Sequence, residues 1–164
     1  MKQIFESERI SFVELSEDLV KDYLVMINDF ENVQRFIRRA SVQREPLTEE
    51  QEIAWVRKNL NEKSLAFSML EKASGEFIGN VQFVHRNGDE AELGIAITAN
   101  KQNTGYGTEA VAAIVSYGME QVGLTRIYLS ANPANARALH VYAKCGFREY
   151  DRNEEHVFME ITKQ

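Results

Sequence analysis

The chain has 164 residues, of which 44% are hydrophobic and 27% are charged, and its formal net charge is −6. This composition is typical of a water-soluble globular protein and excludes a disordered chain, and the acidic balance argues against a nucleic-acid partner. The longest apolar run (110–115), the absence of a signal-peptide stretch and the single cysteine predict one cytoplasmic domain over residues 1–164, with no membrane partner and no internal disulfide.

Signals for a strand and three helices occupy the first part of the chain. Alternating apolar residues predict a strand over 9–15, and the serine that follows can cap a helix over 17–30. A second helical stretch is predicted over 32–39. The sequence TEEQ, which begins at Thr48, has the spacing of a capping box and predicts a third helix from that point.

Four arginines lie within ten residues of one another, in the second helical stretch and the loop after it: Arg35, Arg38, Arg39 and Arg44. Such a run is typical of a solvated helix face. It is also suited to contact with an anionic group, either on the substrate or on the tail of a cofactor. The sequence leaves both interpretations open.

Strand signals dominate the rest of the chain. Three strands over 64–71, 76–85 and 89–98 are predicted to form an antiparallel meander, with Asn87-Gly88 as a hairpin turn. The remaining predicted elements are a loop over 99–107, a helix over 108–121, a strand over 126–131, a helix over 135–144 and short strands over 147–150 and 156–161. This order predicts an α+β fold with one mixed, mostly antiparallel sheet of about seven strands flanked by helices.

The loop over 102–107, with the sequence QNTGYG, lies between a predicted strand and a predicted helix. Its glycines allow successive N–H groups to point at one spot, and the helix behind them adds a positive dipole end, so the loop suits a phosphate or pyrophosphate. A tight turn between a strand and a helix would need the same glycines, so that simpler interpretation also stands. The P-loop and dinucleotide-binding patterns are both incomplete here.

Residues 132–147, NPANARALHVYAKCGF, predict a capped helix that returns to a strand. Asn135 has the position of an N-cap, and Gly146 has the position at which a helix ends in a left-handed residue. Tyr142 either points to a functional site or packs as a core aromatic with its hydroxyl at the edge of the core. Considered locally, this segment predicts structure and no chemistry.

The two segments together resemble the Gcn5-related N-acetyltransferase (GNAT) superfamily. Gln102-x-x-Gly105-x-Gly107 is similar to the Arg/Gln-x-x-Gly-x-Gly/Ala pyrophosphate loop of that family, and residues 135–147 are similar to its C-terminal motif. The order of predicted elements extends the resemblance from about residue 9 to residue 161.

The resemblance implies an acyltransferase in which acetyl-CoA, or a related acyl-CoA, donates its acyl group directly to a primary amine. It also implies that the strand before the glycine loop and the strand over 126–131 separate, with the pantetheine arm between them. Coenzyme contacts are then expected from Ile97, Thr98, Ala99, Gln102, Asn103, Thr104, Gly105, Tyr106, Gly107, Thr108 and Asn135. The helix over 48–60, with Trp55, and the tripeptide at 92–94 look like the RimJ/RimL-type subgroup, which modifies protein N-termini and other amines.

Two side chains are candidates for proton transfer. Tyr142 stands where the family commonly places the acid that protonates the leaving thiolate. Glu92 is our candidate base, acting directly or through water, because it shares a strand face with the small residues Gly94 and Ala96, which leave room for a ligand. An exposed edge glutamate, or one paired with Lys or Arg, is the alternative. The three histidines lack metal-ligand spacing, so no metal is expected.

Other function classes remain open from the sequence alone. One is a non-catalytic acyl-CoA-binding or regulatory domain, and another is a domain in which the glycine loop is only a turn. The acceptor is expected to contact residues 29–47 and 150–156, and both a small-molecule amine and a peptide N-terminus fit the resemblance. A homodimer is compatible with it, although no exposed apolar stripe predicts one.

Overall fold

Eight strands form one sheet in the computed structural model, which describes residues 1–37 and 45–164. They are β1 (Gln3–Glu6), β2 (Ile10–Glu14), β3 (Ala66–Glu71), β4 (Phe77–Asn87), β5 (Glu90–Ile97), β6 (Arg126–Ala131), β7 (Arg148–Arg152) and β8 (Val157–Thr162). The spatial order is β1-β2-β3-β4-β5-β6-β8-β7. Every neighbouring pair is antiparallel except β5 and β6, which are parallel. The predicted α+β architecture is therefore confirmed, with β1 as an additional strand that we did not predict.

Five α-helices cover the sheet in the described part of the chain: α1 (Val20–Ile27), α2 (Arg35–Ile37), α3 (Glu49–Asn61), α4 (Tyr106–Tyr117) and α5 (Ala136–Lys144). The predicted caps are confirmed at Ser16, at the Thr48–Gln51 capping box and at Asn135, whose side-chain oxygen accepts from the N–H of Ala138. Within residues 1–37 and 45–164, no helix has the length and apolar character needed to cross a membrane.

Several helix boundaries differ from the predicted ones. The helix predicted over 17–30 ends at Ile27, and a wider helical turn, Phe30–Gln34, follows it. The helix predicted from residue 108 begins at Tyr106, because Gly105 adopts a left-handed conformation with φ of 86° and turns the chain into the helix there. The end of the helix predicted over 32–39 lies outside the described residues, as do three of the four clustered arginines.

The sheet separates two apolar cores. The larger one packs β-strand residues such as Ile127 against Val111 and Ile114 of α4, all of them fully or almost fully buried. The smaller one lies under α1 and α3 and centres on Tyr23 and Val56. Helices on both faces therefore hold the central strands in place, and the candidate site lies where two of those strands part.

Candidate active site

The parallel strands β5 and β6 pair over only part of their length. Their register pairs are Glu90 with Arg126, Ala91 with Ile127 and Glu92 with Tyr128, although β5 continues to Ile97 and β6 to Ala131. Over the same stretch β6 stays paired with β8 as far as Ala131 and Val157. A wedge therefore opens between β5 and β6, and a cavity of about 970 Å³ occupies it.

The edge of β5 that borders the wedge lacks a partner strand beyond Glu92. The N–H of Thr98 is turned toward β4, where it donates to the carbonyl of Ile78 at 2.9 Å. Because backbone groups alternate in direction along a strand, those of Leu93, Ile95 and Ile97 face the wedge instead. Thr98, which the family resemblance included among the coenzyme contacts, therefore has its N–H engaged within the sheet, whereas Leu93 and Ile95, which we did not predict, border the wedge.

The start of α4 presents a set of unpaired backbone donors beside the cavity. Gly105 is the N-cap residue and has no side-chain hydrogen bond to the helix. The first helical hydrogen bond runs from the N–H of Glu109 to the carbonyl of Gly105 at 3.2 Å. Within the described residues, no group accepts a hydrogen bond from the N–H of Gly105, Tyr106, Gly107 or Thr108. Four such donors at the positive end of a helix form a favourable site for a phosphate group.

Hydrogen bonds to β5, to the turn at Phe30–Gln34 and to α5 hold the glycine loop (residues 102–107) in place. The Gln102 amide donates to the carbonyl of Ile97 at 2.8 Å and to that of Asn32 at 3.0 Å. The Arg137 guanidinium, at the start of α5, donates to the side-chain oxygens of Asn103 at 2.8 Å and Gln102 at 2.9 Å. Arg137 therefore ties the loop to α5 and brings a positive charge next to the unpaired N–H groups.

A polar cluster behind the loop involves Tyr106, which points away from the cavity. Its hydroxyl donates to the carboxylate of Glu71, and Lys101 donates to Glu71 at 3.3 Å and to Glu76 at 2.7 Å. The hydrogen bond from Tyr106, reinforced by those from Ser74 and Lys101, lowers the pKa of Glu71 to about 2. Tyr106 thus anchors the first turn of α4, and only its backbone N–H is available to a ligand.

Most of the residues predicted from the sequence converge on this one cavity. Its wall includes Glu92, Ile97, Gln102, Asn103, Gly105, Gly107, Thr108, Asn135 and Tyr142. Four of the predicted residues lie beside the cavity without lining it: Thr98, Ala99, Thr104 and Tyr106. The Asn135 side-chain oxygen is engaged as the cap of α5 at 3.2 Å, so its amide nitrogen is the group it can offer to a ligand.

Tyr142 lines the cavity from α5 with its ring tilted against Phe147, at 5.9 Å between ring centroids. Burial raises the pKa of Tyr142 to about 12, because a phenolate would lack solvation there. Within the described residues, its hydroxyl makes no hydrogen bond, and desolvation is the one cause of the raised pKa. The Tyr142 hydroxyl is therefore a protonated donor at neutral pH that is available to a bound ligand.

The Glu92 carboxylate lies in the cavity wall near the point where the strands part. One carboxylate oxygen, Oε1, lies 2.8 Å from Nδ1 of His85, a residue of β4. Across the sheet, Glu92 is in register with Tyr128 of β6. The pKa of Tyr128 is raised, mainly because burial desolvates its hydroxyl and further because the negative charge of Glu92 lies nearby. The sequence indicated no role for His85, because this contact depends on an irregularity in strand pairing.

The far part of the cavity is mainly apolar and extends under α1 and α3. Its lining there includes Tyr23, Met26, Val33, Phe36, Trp55, Glu52 and Asn80. The described residues from the predicted acceptor regions that contribute are Asn32, Val33, Phe36, Ile37, Leu47 and His156. The contribution of α1 and α3 was not predicted. In the described part of the chain, no group of three His, Cys, Asp or Glu residues is arranged to hold a metal ion.

A comparison with protein families decides the class of this site. The family model described as an acetyltransferase (GNAT) domain matches residues 9–148. The chain belongs to the GNAT family. The superfamily predicted from the two motifs is thus confirmed, and with it, at the level of the family, the acyltransferase class and acetyl-CoA as the acyl donor.

Similar proteins with curated names cover part of this GNAT chain. It is 33% identical over 102 residues to an uncharacterized N-acetyltransferase of Bacillus subtilis, YnaD, covering 62% of this chain and 60% of that one. It is 34% identical over 77 residues to the spermidine N(1)-acetyltransferase of Escherichia coli K12, covering 47% of this chain and 40% of that one. The matched regions therefore span less than two thirds of either relative.

Two solved structures match the GNAT fold of this chain over nearly its whole length. A GNAT-family acetyltransferase from Bacillus anthracis superposes with a TM-score of 0.82 at 21% identity, covering 96% of each chain. The spermidine N-acetyltransferase of Vibrio cholerae, solved with CoA and spermine, also has a TM-score of 0.82, at 19% identity, covering 95% of this chain and 96% of that one. The fold of the described chain is therefore a GNAT fold.

Proposed function

We propose that this protein is an acetyl-CoA-dependent N-acetyltransferase that acetylates a primary amine in a ternary complex. The observation that carries the proposal is the parting of β5 and β6 after Glu92 and Tyr128. The wall of the wedge includes the start of α4 with its unpaired N–H groups, and the candidate base and the candidate acid also line the cavity. A domain that only bound acyl-CoA would have no need of Glu92 and Tyr142 in the same cavity.

The residues around the wedge fit acetyl-CoA by their chemistry. The unpaired N–H groups of residues 105–108 would bind the diphosphate, and Arg137 adds a positive charge beside them. The Leu93 carbonyl, both backbone groups of Ile95 and the Ile97 N–H would bind the amides of the pantetheine arm in the way that one strand binds another. Asn135 lines the cavity, and its amide nitrogen would donate to the same arm.

Acetyl-CoA supplies an acyl thioester, and the protein must manage two protons. An alkyl ammonium titrates near pH 10, so only about one molecule in a thousand is the free amine at pH 7. In the proposed mechanism Glu92 accepts the proton of the ammonium, directly or through one water. As the amine nitrogen bonds to the acyl carbon and the C–S bond breaks, Tyr142 gives its hydroxyl proton to the departing sulfur, whose thiol pKa is about 8.5. The phenolate then regains a proton from the acylated nitrogen, directly or through water.

The far part of the cavity supports an acceptor that combines a cationic amine with a hydrocarbon body. Its apolar wall, with Trp55 and Met26, suits methylene groups, and Glu52 and Glu92 add carboxylates to the lining. We therefore propose a small cationic amine as the first acceptor class. A peptide N-terminus, which the RimJ/RimL-type resemblance implies, is the second acceptor class. It requires that the far part of the cavity admit the first residues of a peptide.

The test is a thiol-release assay with purified protein, acetyl-CoA and a panel of amines. The panel contains polyamines, aralkylamines, amino acids, an aminoglycoside and peptides with free N-termini. The proposal predicts that, with at least one amine, the protein releases one molecule of free CoA for each molecule of acetylated amine that forms. Tight binding of acetyl-CoA with no release on any amine would instead support the acyl-CoA-binding alternative. No binding at all would contradict both.

A further inference from the structure

The contact between His85 and Glu92 links the cavity to the outer surface. Glu92 lines the cavity and its side chain is 28% exposed, whereas the His85 side chain is 75% exposed and lies outside the lining. The distance from Nδ1 of His85 to Oε1 of Glu92 is 2.8 Å. In the described part of the chain, this is the hydrogen bond that the Glu92 carboxylate makes.

The backbone at His85 is unusual for a residue with a side chain. His85 has a φ of 51°, in the left-handed region, where non-glycine residues are uncommon. It lies between the register pairs Val84–Glu92 and Asn87–Glu90, so β4 has one more residue than β5 over this stretch. Such a bulge changes the direction of a side chain, and here the redirected imidazole contacts Glu92.

We infer that His85 is a positioning residue for Glu92, an inference that rests on the proposed function. Facing a carboxylate, Nδ1 carries a proton and donates it to Oε1 as a hydrogen bond. This fixes the rotation of the carboxyl group and leaves Oε2 as the oxygen that accepts the proton of the acceptor. In that step an N–H bond of the ammonium breaks and an O–H bond forms on Glu92, while His85 keeps its own proton.

Other groups around Glu92 do not take the place of His85. Tyr128 lies opposite Glu92 on β6, and its ring is covered by the Arg126 guanidinium at 4.8 Å. Arg126 itself donates to Glu160 at 2.7 Å and lies 3.6 Å from Glu90. The neighbouring positive charge is therefore engaged with other carboxylates, and the imidazole is the donor that holds Glu92.

Two substitutions at position 85 distinguish the effect of the imidazole donor from the effect of the left-handed backbone at the bulge. Glycine adopts the left-handed conformation without strain, so His85→Gly removes the donor and leaves the backbone as it is. Asparagine also tolerates this conformation, and its Nδ2 is bonded to Cγ, as Nδ1 of histidine is, so His85→Asn retains a donor in nearly the same place. Arg86→Ala, at the next residue of the same bulge, is the matched control.

The inference predicts a specific pattern in kcat, with the KM for acetyl-CoA unchanged. His85→Gly lowers kcat by about tenfold, while His85→Asn and Arg86→Ala stay within about threefold of the wild-type value. In the Glu92→Gln background, adding His85→Gly has almost no further effect, because no base remains at position 92 for His85 to orient. Thermal unfolding of each variant checks that it is folded.

Three outcomes would overturn the inference while leaving the proposed function intact. The first is a wild-type kcat for His85→Gly, and the second is a kcat for His85→Asn as low as that of His85→Gly. The third is a further tenfold loss of kcat when His85→Gly is added to Glu92→Gln. Wild-type turnover of Glu92→Gln would instead overturn the assignment of Glu92 as the base, and the role of His85 with it.

Discussion

Glu92 and Tyr128 form the last register pair between β5 and β6, and beyond this pair the two strands separate. The side chain proposed as the base thus lies at the apex of the wedge that is proposed to hold the acyl donor. Both lie in one eight-stranded sheet that is covered by helices on both faces, so the same strand pairing positions the wedge and the base.

Replacement of Glu92 tests its role as the base. We expect Glu92→Gln to lower turnover by about a hundredfold at pH 7, because the amide cannot accept the proton of the ammonium. Turnover should recover partly as the pH rises toward 10, where the acceptor itself loses its proton in solution. The measurement is the pH dependence of kcat. If the variant kept the wild-type profile, Glu92 would have another role.

Replacement of Tyr142 tests the proposed acid. We expect Tyr142→Phe to lower kcat by about tenfold or more, with little change in the KM for acetyl-CoA, since only the donor to the leaving sulfur is lost. A tenfold rise in that KM at constant kcat would indicate a role in binding and contradict the assignment.

The same variant has a predicted effect on stability at high pH. The pKa of Tyr142 is about 12 in the folded protein and 10.0 in the reference state. A raised pKa stabilises the fold below the unfolded value, and that contribution is lost as the pH rises from 10 to 12. Between these pH values, the free energy of unfolding should fall more steeply for the wild type than for Tyr142→Phe, by up to about 2 kcal/mol. Parallel curves would show that burial does not perturb this hydroxyl.

The glycine loop can be tested with a matched pair of glycines. Gly105 has a φ of +86°, and an added Cβ would approach a nitrogen of Arg9 at 3.2 Å. Gly75 has a φ of +78° with nothing within 4 Å, and it does not line the cavity. Alanine at either site should cost about 1 kcal/mol of stability from the left-handed backbone, but only Gly105→Ala should raise the KM for acetyl-CoA, by about tenfold. Equal KM values for the two variants would contradict the proposed phosphate site.

The cluster behind the loop predicts a pH-dependent contribution to stability. Because the pKa of Glu71 is lowered from 4.5 to about 2, chiefly by the hydroxyl of Tyr106, it stabilises the fold above pH 4.5. This contribution is lost as the pH falls from 4.5 to 2. Tyr106→Phe removes the main cause, so its free energy of unfolding should fall less steeply than that of the wild type over this range. Chemical denaturation at several pH values measures the difference, and identical slopes would contradict it.

The sequence predicted features that depend on local signals. Helix caps such as Ser16, Thr48 and Asn135 require only a polar side chain before a helix. The hairpin between β4 and β5 was also predicted, but its two loop residues are Gly88 and Asp89, because Asn87 still pairs with Glu90. The separation of β5 and β6 was predicted only through the family resemblance, since no local pattern specifies it.

Features that depend on long-range register were missed. The strand β1 is short and only partly buried, and it is defined by pairing with β2. The direction of the Thr98 N–H and the contact of His85 with Glu92 both follow from the register between β4 and β5. Alternation along a single strand cannot reveal an extra residue in its neighbour, so the bulge at His85 had no signal in the sequence.

The central claim is that the wedge between β5 and β6 binds acetyl-CoA with its diphosphate on the first turn of α4. A crystal structure of the protein with CoA tests this most directly. We predict diphosphate oxygens about 3 Å from the backbone nitrogens of residues 105–108, with the thiol of the coenzyme close to the hydroxyl of Tyr142. A bound coenzyme whose diphosphate lay elsewhere, with those nitrogens still unpaired, would contradict the account.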